Sequence, residues 1–167
     1  IHKGLLYRKK LNHYEKLELH KNLALDYYYS NNSISSVNEL EAILKLDKSN
    51  EWSIGYLVRI YRETQNWPKA GEYLGKYQEL TNKTDKHKLA LYKIQEGRSL
   101  IKKKKFNDSR QSFEDSLNIC GDLAAAYYFI ANSYSAESEE AYQKSVQSES
   151  TVSSYETNSP DQNDQAH

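Results

Sequence analysis

The chain has 167 residues, a formal net charge of zero from 23 basic and 23 acidic side chains, and a single cysteine. That excludes an internal disulfide and leaves no bulk field to draw the chain to nucleic acid or a membrane surface. With His only at positions 2, 13, 20, 87 and 167 there is no CxxC or paired-His ligand set, no run approaches the roughly 18 apolar residues of a membrane span, and no metal or other cofactor is expected. Six glycines and two prolines are too few turn signals for a β-sandwich, so helices are favoured. Methionine is absent, and the expectation is that the chain begins inside a longer gene product.

Apolar residues then recur at the spacings of three and four that one helix face requires. The first predicted unit covers residues 17–50, with Leu23, Ala24 and Tyr27 on one helix and Ser36, Leu40, Ile43 and Leu46 on the next. In the second unit, 51–84, Ile54, Leu57, Val58 and Tyr61 form a stripe, with Arg59, Arg62 and Glu63 away from it. A turn follows in which Asn66 can cap the next helix and Pro68 occupies its first turn, before a second stripe at Ala70, Leu74, Tyr77 and Leu80. Equivalent positions of these two hairpins lie 34 residues apart. After a spacer at 85–89, a third unit at 90–123 supplies Gly97, Leu100, Ser109, Phe113 and Ile119, with Glu96 and Ser116 fitting less well. A fourth, 124–148, places Tyr127, Ile130, Ala131 and Tyr134; its second helix, with Ala141 and Tyr142, arrives early and reads as truncated or shifted. Residues 149–167 are mostly Ser, Glu, Asn, Gln, Asp and Thr, and are expected to form a disordered polar tail.

A 34-residue helical hairpin with these apolar positions resembles the tetratricopeptide repeat from about residue 17 to 148. The resemblance implies an all-α, right-handed αα-superhelix. Unit positions 8 and 20, where the two helices cross closely, want small residues, which Ala24, Ser36, Ala70, Gly97, Ser109 and Ala131 provide and Val58 does not. A bundle of similar hairpins is the alternative. Ile1-His2-Lys3-Gly4-Leu5-Leu6, Leu23-Ala24-Leu25-Asp26-Tyr27-Tyr28, Arg59-Ile60-Tyr61, Asn66-Trp67-Pro68-Lys69-Ala70 and the spacer Asp85-Lys86-His87-Lys88 further resemble the lipopolysaccharide assembly protein B family over residues 1–120. That likeness implies a cytoplasmic adaptor, tied to the inner face of the inner membrane by a segment outside this chain, whose partners are a membrane protease and an envelope-biosynthesis enzyme. The family's rubredoxin-like metal module, with its CxxC pairs, has no counterpart here, since Cys120 stands alone.

No GxSxG, phosphate-cradling glycine loop or HExxH is present, so the chain is not expected to be an enzyme. Cys120 ends a predicted helix, where the dipole raises a thiol pKa, and reads as passive. His20 falls on a packing site, Trp67 is expected to wedge between helices, and Lys102 to Lys105 read first as a solvated helix end. A stack of hairpins instead offers a groove lined by its first helices. The predicted groove residues are Lys21, Tyr28 and Tyr29 of the first unit, Trp52, Arg59 and Arg62 of the second, Arg98 and Lys102 of the third, and Tyr128 and Asn132 of the fourth. Arginine grips carboxylates and tyrosine stacks on planar groups, so the expected partner is a protein or peptide segment rich in acidic and aromatic side chains. Leu25, Tyr56, Leu91 and Gln95 stand where the clamp for chaperone C-terminal tails needs polar groups, which disfavours such tails. The competing expectation is a self-assembly module whose poorly capped repeat ends stack into a homo-oligomer.

Overall fold

The computed structural model describes the backbone of residues 11–156 and the side chains of 11–148. Among these residues are seven helices and no strand: α1 (His13–Tyr29), α2 (Ser33–Leu46), α3 (Glu51–Glu63), α4 (Trp67–Thr81), α5 (Lys86–Lys102), α6 (Phe106–Ile119) and α7 (Ala124–Glu156). The starts of these helices follow from short polar side chains. Asn12, Asn32, Asn50, Asn66 and Asp85 each accept the backbone N–H three residues on, and at α1 Glu15 returns the bond to form a capping box.

The repeat is written into the turns within the hairpins, 34 residues apart from the first to the second and 39 from the second to the third, across the spacer. Asn31, Gln65 and Lys104 all adopt left-handed backbone, at φ 59, 57 and 60°. In each case the next amide closes onto the carbonyl five residues back: Asn32 to Tyr27 at 2.8 Å, Asn66 to Tyr61 at 2.8 Å, Lys105 to Leu100 at 3.0 Å. This is the helix-terminating arrangement in which a left-handed residue lets orphan carbonyls be satisfied. Each helix packs on its neighbours in sequence, and α5 also meets α7. The molecule is therefore an all-α stack of tetratricopeptide-like hairpins.

The close crossings lie where small residues were expected. Ser36 is fully buried and its hydroxyl donates to the Ala24 carbonyl at 2.8 Å. A Cβ on Gly97 would come within 2.4 Å of the Phe113 ring. Ala70 and Ser109 are likewise fully buried, and the exception Val58 is half-buried against the apolar sets of both neighbouring hairpins.

Three expectations need correction. The spacer is largely helical: α4 ends on left-handed Asn82, Asp85 caps α5, and residues 86–89 form the first turn of α5. The buried Gln78 fastens this junction, its amide donating to the Asp85 carbonyl and accepting the Asp85 amide, both at 3.1 Å. The fourth unit is one uninterrupted helix rather than a hairpin, and its packed face is rotated from the expected one. Ala126 and Ser133 are buried and Ile130 half-buried, whereas Tyr127, Ala131 and Tyr134 are exposed. The cause is Phe129, whose ring stacks on Phe113 at 5.7 Å and takes the bulk site intended for Tyr127. The backbone of α7 continues to Glu156, past the expected boundary at 148; residues 157–167 of the tail, and the segment Ile1 to Leu6, lie outside the described residues. No described helix is long and apolar enough to cross a membrane.

Candidate binding surface

The first helices of units one and two bring five of the predicted groove residues into two contacting groups. The Lys21 ammonium, midway along α1, lies 5.3 Å from the ring centroid of Trp52 in the first turn of α3, and Trp52 packs on Tyr56 at 4.5 Å. Tyr56 meets Tyr28 edge-on at 5.7 Å, Tyr28 meets Tyr29 at 5.4 Å, and the Arg59 guanidinium lies 5.3 Å from the Tyr28 ring. The result is a continuous ladder of rings and cations from α1 to α3. Such contacts each contribute on the order of 0.5–1 kcal/mol where exposed, and they hold the rings in fixed positions.

Tyr56, which joins the two groups, and Glu63 are residues that composition and spacing did not put in this set. The Glu63 carboxylate accepts from the Tyr28 hydroxyl at 3.0 and 3.1 Å and from Arg59 Nε at 3.1 Å. Burial, the hydrogen bond to Glu63 and its charge hold the Tyr28 hydroxyl above its ordinary pKa, and the same carboxylate raises that of Arg59. Arg59 thus comes to the surface already oriented by a carboxylate of its own chain. The i,i+4 spacing of Arg59 and Glu63 was a readable signal for that pair; the Tyr28 bond, from another helix, was not.

The remaining groove residues form a second place or stand alone. Arg98 lies 5.1 Å from the Phe129 ring and donates to Gln95 at 3.0 Å, and Tyr128 packs edge-on against Phe129 at 5.1 Å. Phe129 is again a residue the spacing did not single out. Arg62, Lys102 and Asn132 are exposed, as is Tyr29 on its outer side. No ring or ion contact ties the α1–α3 ladder to the Arg98 group among the described residues.

A cavity of about 230 Å³ opens at the Lys21 end of the ladder, lined by Tyr14, Leu17, Glu18, Lys21, Ile43, Asn50 and Trp52. That is below the roughly 300 Å³ at which small-molecule sites begin, and suits one large side chain. Away from the ladder, His20 Nδ1 lies 2.6 Å from Glu39 as a half-buried boundary pair. The lysine run forms the α5–α6 turn, where Lys104 pairs with Glu140 of α7 at 2.9 Å. Trp67 wedges between α4 and α5 as expected, meeting Tyr92 at 5.7 Å beside a cavity of about 270 Å³.

No family model matches the chain, and no curated protein matches it. Among solved structures, the chain is similar to the N-terminal domain of stress-induced protein-1 from C. elegans, at 16% identity over 77% of this chain and 99% of that one, with a TM-score of 0.44. It is similar also to the O-GlcNAc transferase of Thermobaculum terrenum, at 15% identity and a TM-score of 0.41, over 74% of this chain but only 23% of the transferase.

Proposed function

We propose that the chain is a protein-interaction module whose first-helix wall, from Trp52 to Arg59, holds a segment of a partner protein. The observation that carries this reading is the ladder of Lys21, Trp52, Tyr56, Tyr28 and Arg59, which fixes ring faces and cations side by side across two repeats. A segment with apolar or aromatic side chains gains ring contacts there, and its carboxylates reach Lys21, Arg59 and the exposed Arg62. A partner carboxylate at Arg59 shares the guanidinium with Glu63, so it binds by the free N–H groups. Affinity capture with wild type and with Arg59→Glu plus Arg62→Glu tests this: a protein band held by the first and lost by the second supports the wall, and identical profiles refute it.

The likeness to the lipopolysaccharide assembly protein B family extends the reading to a role in envelope biogenesis at the cytoplasmic face of the inner membrane, and its support is the set of matching residues alone. A self-assembly role has one specific observation in its favour. Tyr127, Tyr142 and Val146 of α7 are 60, 62 and 43% exposed, while Tyr134 of the same helix carries Arg110 of α6 over its ring at 4.2 Å.

A further inference from the structure

The ladder makes its contacts at one interval on two helices. Lys21 of α1 meets Trp52 of α3, and Tyr28 of α1 meets Arg59 of α3. Seven residues separate the two contacts on each helix, in the same order, so α1 and α3 run in the same direction. Seven residues of helix rise about 10.5 Å. Tyr56 lies between the two places and touches both Trp52 and Tyr28. The wall therefore presents three places in line along α3, at Trp52, Tyr56 and Arg59.

Their chemistry is graded. At the Trp52 end, the cavity of about 230 Å³ takes largely apolar walls from Tyr14, Leu17, Ile43 and Trp52, which suits an apolar side chain. Lys21, also on its wall, lies 3.7 Å from Glu18, so that end carries little net charge. At the other end Arg59 and Arg62 set two guanidinium groups against the one carboxylate of Glu63. That carboxylate takes Arg59 Nε at 3.1 Å and leaves the outer N–H groups of Arg59 for another acceptor. The surplus charge there is positive and calls for a carboxylate.

The interval decides which backbone carries these groups. A strand sets side chains of one face about 6.6 or 13.2 Å apart, and either spacing misses Arg59 when the first residue sits at Trp52. A polyproline II segment repeats after three residues and about 9.3 Å, which leaves Tyr56 uncovered. A helix lying along α3 brings residues i, i+3 or i+4, and i+7 over all three places, because its rise is the same. On the reading of this wall as a partner-binding surface, on which the inference rests, we infer that the partner segment is an amphipathic helix lying along α3, with one large apolar side chain in the cavity beside Trp52 and, seven residues from it, a carboxylate on Arg59.

Phage-displayed random peptides of about 16 residues, roughly four turns of helix, selected on the full chain test this, with affinities read by fluorescence polarisation. The binders are expected to share a Trp, Phe or Leu and an Asp or Glu seven residues apart, and to gain helical circular dichroism when bound. Two variants close the cavity. Leu17→Trp fills it, and Tyr14→Glu, at a side chain 69% exposed, puts a charge on its wall without touching the core. Each should weaken binding about tenfold. Replacing the apolar anchor of the peptide by alanine should cost the same with wild type and nothing further with Leu17→Trp. Binders without this spacing overturn the inference, as do binders with a shorter spacing and no gain of helix, or binders held by Leu17→Trp and Tyr14→Glu as tightly as by wild type. Where such binders are still lost to Arg59→Glu plus Arg62→Glu, the wall stands and only its occupant is corrected. A selection that yields no binder overturns the inference too, and affinity capture then decides on the wall by itself.

Discussion

A single hydrogen atom at position 97 lets the third hairpin close. Phe113 is fully buried and stacked on Phe129, so its ring has no free space into which to retreat from a Cβ placed 2.4 Å away. Gly97→Ala is therefore expected to destabilise the fold by about 1–3 kcal/mol, the range for overpacking a closed core, read from the urea midpoint at unchanged slope. Adding Phe113→Leu should recover part of that loss; a double variant no better than the sum of the two single ones would show that the clash lies elsewhere. Among single residues this crossing was the most legible in the sequence, since small residues stand at 24, 36, 70, 97 and 109, the close-crossing positions of the resembled repeat, with Val58 the exception. The cations Lys21, Arg59 and Arg98 that meet aromatic rings were legible as residue types. Their partners were not: Glu63 and Phe129 are defined by contacts between helices of neighbouring repeats, and a spacing rule within one helix carries no information about those.

Among the helices, α6 departs from the capping rule that the others with assigned caps obey. Asn32 and Asn66 cap α2 and α4 from equivalent positions, but Lys105 occupies that place at α6, where no side-chain bond is made. Its backbone, at φ −96 and ψ 69°, matches Asn32 at −94 and 72°, so an asparagine fits without rearrangement. Lys105→Asn is expected to stabilise the protein by about 1 kcal/mol, which also removes a positive charge from the positive end of the helix dipole; calorimetry showing no rise in Tm would contradict this. The boundaries of the hairpins could be read because asparagine caps and left-handed turns leave residue-type signatures. The spacer could not, because its residues 86–89 suit either a loop or a first turn, and the choice is made by the buried Gln78 amide clamping Asp85. At α7 the spacing misled for a related reason: Tyr127 and Phe129 are both aromatic, and only the presence of Phe113 beneath them decides which one turns inward.

At the scale of the whole molecule the stack is held by unequal cores. One set of buried side chains, Ala24, Leu40, Ile43, Ile54, Leu57, Ile60 and Tyr73, unites the first two hairpins, and another, Ala90, Ile94, Phe113, Leu123 and Ala126, unites the third with α7. Between them lies a set of only three, Ala70, Leu74 and Tyr92, lapped by Trp67 and Leu89. In a repeat array stability is roughly the sum of unit terms and nearest-neighbour interfaces, so cooperativity between the halves rests on that middle set. Leu74→Ala removes its central side chain at an expected cost of about 2–5 kcal/mol. Because the loss falls on the junction, the two outer cores should then melt as separate units, giving two calorimetric transitions or a van't Hoff enthalpy well below the calorimetric one. Ile43→Ala, an equally buried truncation inside the first core, should instead lower the stability of that half without uncoupling the junction. If Leu74→Ala shifts one intact transition while Ile43→Ala is the variant that splits it, the joint lies in the first core and the middle set is not the hinge of cooperativity.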